Sequence, residues 1–600
     1  MRIAIKRRRA FTLAGILSMA SIAVVNTATA MAPADLAYRN GYVYTVDAND
    51  SVQKALAIRD GRIVYVGDEA GIDVYIGPRT RVVDLRGRML MPGLVDGHMH
   101  PINGGASLLK CNLNYERLTL QQMQARIQAC IDQTRSREPS SWLEVVNWFQ
   151  EAMLPAGTVA TCAVLDGLKT SRPIFVSSSF GHTALVNTRA IQLAGIDAGT
   201  KDPQDGKIGR TPAGAPTGIL EDAAQHLVTR LIPPPSPGDD VRAAKAALDA
   251  LRKQGITTFL DAAATEANLA AFAKLQHQGR LTARAHFALL IEPSEGTEPQ
   301  KVVSRLIELR HRYDQGAAAV RPTMTVRNVK LFLDGVISAP ALTGAMLEPY
   351  LLPADASSPP IWQPGKSRGP DVYFPAPVLN ALLVAVSRAG FEPHMHADGD
   401  RAVRAGLDAA AALRSEFPLR DIRVAMAHDE IADRSDFPRF QKLNVVPVLS
   451  FQWQKRAPDT VDNLQNYLGP ARFQLVEPAG FLAEAGARIA YGSDWPVDPL
   501  NEWFALKVGV TRMNSPAAGP EYAARLGEDK GLTRQQVLRA ITLNSSYELH
   551  QDGATGSLEL GKLADVIVLD RNILDIPSEQ IADTKVMQTV VGGRMVYSTD

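Results

Sequence analysis

The chain has 600 residues, a hydrophobic fraction of 46% and a formal net charge of +1. That length is too great for one compact core, so a large domain of about 300 to 400 residues plus at least one smaller module is expected. The near-neutral balance offers no basic surface for nucleic acid, and the apolar fraction is that of an ordinary globular protein.

The first thirty residues stand apart. Arg2, Lys6, Arg7, Arg8 and Arg9 occur there without any acid, which leaves a formal −4 on the remainder. An apolar run, "AFTLAGILSMASIAVV", follows, and then Ala28-Thr29-Ala30, a small-x-small processing pattern. Residues 1–30 therefore read as a secretory signal, with no membrane span in the mature chain and a periplasmic or secreted destination. "RRRAFTL" also resembles a twin-arginine signal, whose cargo crosses the membrane folded; an ordinary Sec signal is the alternative. Cys111, Cys130 and Cys162 are too few for a disulfide framework or a thiolate metal site. Buried free thiols are expected, with one Cys111–Cys130 bridge as the alternative.

Residues 31–91 read as short strands joined by tight turns at Asn40-Gly41 and Asp60-Gly61. Residues 546–600, with "GSLELGKLADVIVLD" and "VMQTVVGGRMVYS", have the same texture, which points to one small β-sandwich domain built from both chain ends. Residues 92–545 alternate helix and strand instead. "DDVRAAKAALDALRKQ" stops at Gly255 and leads into "ITTFLDA"; "ATEANLAAFAKLQHQ" stops at Gly279 and leads into "RAHFALLIE". Further strands read at "VRNVKLFLDG", "FEPHMHADG", "IRVAMAHDE", "NVVPVLSFQW" and "RIAYGSD". With "GLVDGHMH" in front they make eight, and the fold class is α/β, a (β/α)8 TIM-like barrel. "PIFVSSSFGH" would be a ninth strand and is assigned to an insertion after the first, over residues 103–240. Long loops in that insertion, and "PADASSPPIWQPGKSRGP" after the fourth strand, read as lids over the active-site end.

Eleven histidines in 600 residues predict about 0.2 His-x-His pairs by chance. There are two, His98/His100 and His394/His396. Side chains at i and i+2 of a strand share a face, so each pair would project into the barrel. His428 ends "IRVAMAH" and Asp494 ends "RIAYGSD", adding an imidazole and a carboxylate from separate strands. Such nitrogen and oxygen donors are those a catalytic zinc takes, with one position left for water. Counting Asp494 as strand eight places His428 on six, His396 on five and Lys330 on four.

In that order the sequence resembles the metal-dependent amidohydrolases, and specifically the YtcJ-like branch, amidohydrolase family 3, which includes N-substituted formamide deformylases. "MPGLVDGHMH", "FGHTALVN", "VKLFLDG", "HADGDRAV", "AYGSDWPV" and "GSLELGKLADVIVLD" occur in family order over nearly the whole mature chain. The resemblance implies hydrolysis of an amide or other non-peptide C–N bond of a small molecule by metal-activated water. It implies one or two divalent ions, zinc above all, held by His98, His100, His396, His428 and Asp494. Lys330 corresponds to a lysine that many relatives carbamylate to bridge two metals; an unmodified lysine pairing with Asp334 or a substrate carboxylate is the alternative. Asp494 would act as general base and acid, with His428 or His182 steadying the oxyanion. His182 in "GHTALVN" is a substrate-contacting group at the pocket rim or a turn residue, and His394 is expected behind the ligands. A homodimer is the family-level expectation.

Two positions depart from the family pattern, Asp398 where an aliphatic residue is usual and Ala427 where a Glu is usual. Two other functions compete. A mononuclear deaminase of a cyclic amidine usually carries a Glu shortly after the fifth-strand histidine, where this chain has Ala397-Asp398-Gly399. A metal-free binding or structural relative would lack ligand residues, and here the set is complete.

Overall fold

The computed structural model describes residues 32–599 except 135–140, 156, 180, 182, 204–205, 340 and 355–359. The signal segment read at residues 1–30 lies outside the described residues. Among those described, no helix is long and apolar enough to cross a membrane.

Eight parallel strands form one sheet in chain order: β1 (Leu94–Met99), β2 (Ile256–Ala264), β3 (Arg284–Leu290), β4 (Met324–Phe332), β5 (Glu392–Ala397), β6 (Val424–His428), β7 (Val445–Leu449) and β8 (Ala490–Tyr491). These are the eight strands expected from the sequence. Each neighbour in the chain is a neighbour in the sheet, from β1 beside β2 to β7 beside β8. The ring closes beyond the short β8, where Asp494 N donates to His98 O at 2.8 Å and His100 N to Trp495 O at 2.8 Å. Gly492 permits that closure, because a Cβ there would fall 2.4 Å from the His98 Cβ. Helices cover the outside, so the strands are buried on both faces and read as continuous apolar runs.

The helix before β2, Pro237–Gln254, shows how the local sequence sets the alternation. Ser236 Oγ accepts the Asp239 amide and the Asp239 carboxylate returns to the Ser236 amide. Ala243, Ala247 and Leu251 recur on its buried face, and Gly255 at φ +87° ends it and turns the chain into β2.

Both chain ends contribute to a second body. A four-stranded sheet runs Arg62–Gly67, Ala55–Arg59, Leu36–Arg39, Arg81–Asp84. Beside it, a six-stranded sheet pairs Met89–Pro92 with Val566–Leu569, antiparallel. Leu36, Leu56, Leu90, Val566 and Val590 share one buried cluster between the sheets. A buried ion pair fastens this body to the barrel: Arg284 on β3 meets Asp565 through two contacts of 2.7 and 2.9 Å, and Asp565 also accepts the Gly592 amide.

"PIFVSSSFGH" forms Ile174–Ser178 in a separate six-stranded sheet between β1 and β2, outside the barrel ladder. Tyr115 in this insertion donates its hydroxyl to Pro496 O at 2.5 Å, which holds the insertion over the segment after β8. The cysteines depart from the free-thiol expectation. Cys111, on the sheet edge, is bridged to Cys130 on the helix Leu120–Gln133, and Cys162 is free. Packing of that helix on the sheet brings the two Cα atoms to 5.7 Å, within disulfide reach, a proximity that sequence spacing does not encode.

Candidate metal centre

Strand ends converge on one mouth of the ring. β1 delivers His98 and, at its end, His100; β4 delivers Lys330, β5 His396, β6 His428, and the turn after β8 Asp494. His428 (φ +82°) and Asp494 (φ +52°) both sit in the left-handed region, a conformation uncommon for such residues and typical of functional sites.

Asp494 Oδ1 lies 3.1 Å from His100 Nε2 and 3.3 Å from His98 Nε2. Neither contact has hydrogen-bond direction, and this buried oxygen has no hydrogen-bond partner. Lys330 Nζ lies 3.4 Å from His98 Nε2 and 4.5 Å from the centre of the Phe332 ring. Across the mouth, the His396 and His428 rings are 4.6 Å apart and Trp453 stacks on His428. Donor atoms of His98, His100 and Asp494 lie within 4.8 Å of one another, as do those of His396, Asp398 and His428. The six residues proposed from sequence as ligands thus gather at one end of the barrel. His182 lies outside the described residues.

The electrostatics favour ligands. Burial, then the Lys330 charge and neighbouring imidazoles, hold His98 well below its usual range; burial and Lys330 hold His396 down to about 3. Burial, with His396 and His98, does the same to His428. A neutral imidazole keeps the lone pair that metal binding needs. Burial lowers Lys330 to about 8 against the pull of Asp494 and Asp398. Burial pushes Asp494 upward, but His100, His428 and Lys330 outweigh it and keep the carboxylate below its ordinary range. Asp334 does not stand as the partner of Lys330: its oxygens accept the amides of Asp398, Ala345 and Gly399 at 2.8–3.0 Å.

These residues fit a divalent cation. Asp494 Oδ1, Asp398 Oδ1 and His428 Nδ1 are all buried without hydrogen-bond partners, and the nitrogen and oxygen donors suit a first-row ion.

Two features escaped the sequence reading. His394 was expected behind the ligands, but its partner was not foreseen: His98 Nδ1 lies 2.7 Å from His394 Nε2, and His394 Nδ1 lies 3.0 Å from Glu548 Oε1. The signal was Gly97, where a Cβ would meet Glu548 Oε2 at 2.4 Å. The other is the place of Asp398, noted from sequence only as a departure from the family pattern and found here beside His396 and His428.

A cavity of about 150 Å³ opens at this mouth, lined by His396, Asp398, His428, Trp453, Glu477 and Asp494. A second, of about 250 Å³, shares Asp459 with it and takes Tyr115 and Phe149 from the insertion. Both cavities are lined by more apolar than polar surface, and the one at the mouth is the smaller.

Comparison with known proteins agrees with this geometry. Residues 81–597 match the model of the amidohydrolase family. The chain is 27% identical to the LONG AFTER FAR-RED 3 protein of Arabidopsis thaliana, over 94% of this chain and 92% of that one. It is 24% identical to the N-substituted formamide deformylase of Arthrobacter pascens, over 94% and 98%. A metal-dependent hydrolase from Pyrococcus furiosus superposes with a TM-score of 0.65 at 20% identity, covering 90% of this chain and all of that one, and so shares its fold. With a family match over most of its length and the eight-stranded barrel in place, the chain belongs to the amidohydrolase family, metal-dependent hydrolases acting on carbon–nitrogen bonds.

Proposed function

We propose that the chain hydrolyses an amide or other non-peptide C–N bond of a small molecule, with N-substituted formamides the first class to test and zinc, one or two ions per chain, the cation. The observation that carries this reading is Asp494 Oδ1, buried, without a hydrogen-bond partner and 3.1–3.3 Å from two ligand imidazoles. His98, His100 and Asp494 would hold the first ion, and His396 and His428 a second, with Lys330 beside His98. A cation bound here supplies Lewis acidity, which makes water acidic near neutrality and polarises a carbonyl.

The remaining work belongs to the chain. Asp494 borders the cavity with one oxygen free of any hydrogen bond, so it can take a proton from the attacking water and return it to the departing nitrogen. His428, fixed against Trp453, or His182 steadies the charge that develops on the carbonyl oxygen. The outer cavity, walled partly by the insertion, would hold the nitrogen substituent.

Export of the chain is part of the same proposal. The basic cluster and apolar run of residues 1–30 support it, as does the Cys111–Cys130 bridge, which suits an oxidising compartment. The experiment is a panel of formamides, N-acyl amino acids and cyclic amides assayed before and after chelation. Activity should vanish with chelator and return with zinc. Full activity in the metal-free protein overturns the reading.

A further inference from the structure

The two donor groups share no residue. His98, His100 and Asp494 make one, and His396, Asp398 and His428 the other, each with two imidazoles and one carboxylate. We propose that Asp398 is the carboxylate ligand of the second divalent cation, completing a site with His396 and His428 that stands without a carbamylated Lys330. The inference rests on the metallohydrolase reading above and goes beyond it by assigning a ligand.

Two observations carry it. Asp398 is 1% exposed and its Oδ1 has no hydrogen-bond partner. A buried carboxylate oxygen left in that state is costly unless a cation faces it. Second, the backbone fixes where it points. Asp398 N donates to Asp334 Oδ1 at 3.0 Å, its carbonyl accepts the Ile431 amide at 3.0 Å, and the following Gly399 N is bound by Asp334 Oδ2. That leaves Oδ1 3.5 Å from His396 Nε2, on the wall of the cavity that His428 also lines.

The test counts metal rather than turnover. Wild type, Asp398→Asn, Asp398→Ser and Lys330→Gln are loaded with zinc, dialysed exhaustively and analysed by inductively coupled plasma mass spectrometry. Circular dichroism melts identify which variants are folded. Two ions per chain are expected in wild type, one in each folded Asp398 variant and two in Lys330→Gln. Cobalt loading provides a second readout: the Asp398 variants should lose roughly half of the visible absorption of the wild type. Two ions retained in either Asp398 variant overturn the inference, as does loss of the second ion in Lys330→Gln or a wild type that holds only one. A wild type that holds none would instead remove the metallohydrolase reading itself, so the two failures are distinguishable.

Discussion

His98 Nδ1 lies 2.7 Å from His394 Nε2, and the far nitrogen of His394 lies 3.0 Å from the Glu548 carboxylate. All three side chains are buried. With one nitrogen of His98 committed to His394, the other is left to face Asp494 and Lys330. A carboxylate at the end of such a chain fixes the tautomer of the ligand imidazole and increases its basicity. Glu548→Gln keeps the shape and replaces the carboxyl group with an amide, so metal affinity should fall by about 10- to 100-fold. Competition against a chelator of known affinity measures it, and an affinity unchanged from wild type would show that the Glu548–His394 pair only fills space.

Asp494→Asn separates proton transfer from folding. The amide keeps the shape but cannot take a proton from water, so kcat should fall by at least about 10²-fold. Metal content and melting temperature are measured beside kcat, because Asp494 would also hold the first ion and its charge is favoured by His100, His428 and Lys330. Wild-type turnover in this variant would require another base.

The barrel was legible because each of its helices and strands announces itself locally. Gly255 and Gly279 stop helices just before apolar strands, and the His-x-His pairs mark strand ends. That His98, His100, Lys330, His396, His428 and Asp494 would gather at one mouth followed from residue type and order along the chain. What the sequence concealed depends on approach between distant segments. Glu548 reaches His394 across 154 residues, with Gly97 as the sole local trace of its presence. Asp398 stands out in "HADGD" only as a departure from the family pattern until Asp334, drawn in from the end of β4, pins its backbone. The Cys111–Cys130 bridge likewise depends on how a helix lies on a sheet edge.

The Arg284–Asp565 pair ties β3 to the strand that begins at Val566, with both side chains almost wholly buried. Removing one partner leaves a buried charge without compensation, so Asp565→Ala should cost about 3–5 kcal/mol. Replacing both, as in Arg284→Met with Asp565→Leu, should recover much of that loss, because no charge then remains buried. Urea unfolding of the single and double variants measures the difference. A single variant as stable as wild type would mean that the two bodies do not depend on this pair.

His286 makes the fold sensitive to acid at a place remote from the metal ligands. It is buried on β3, beside Gln551 and Arg327 at a separate cavity, and its Nδ1 has no hydrogen-bond partner. Burial, with help from Arg284 and Arg327 and against neighbouring Gln551, pushes it from 6.5 down to about 4. The unfolded chain therefore binds this proton more readily than the folded one. Its contribution to stability is intact above pH 6.5, declines as pH falls, and is gone below pH 4, a change of about 3 kcal/mol for a shift of that size. His286→Gln removes the titration. Acid also strips metal from histidine ligands, so both proteins are compared after chelation, by urea unfolding at pH 7.5, 5.5 and 4.5. The stability of wild type relative to the variant should decrease across that series, and a difference constant with pH would show that His286 is not the group that titrates.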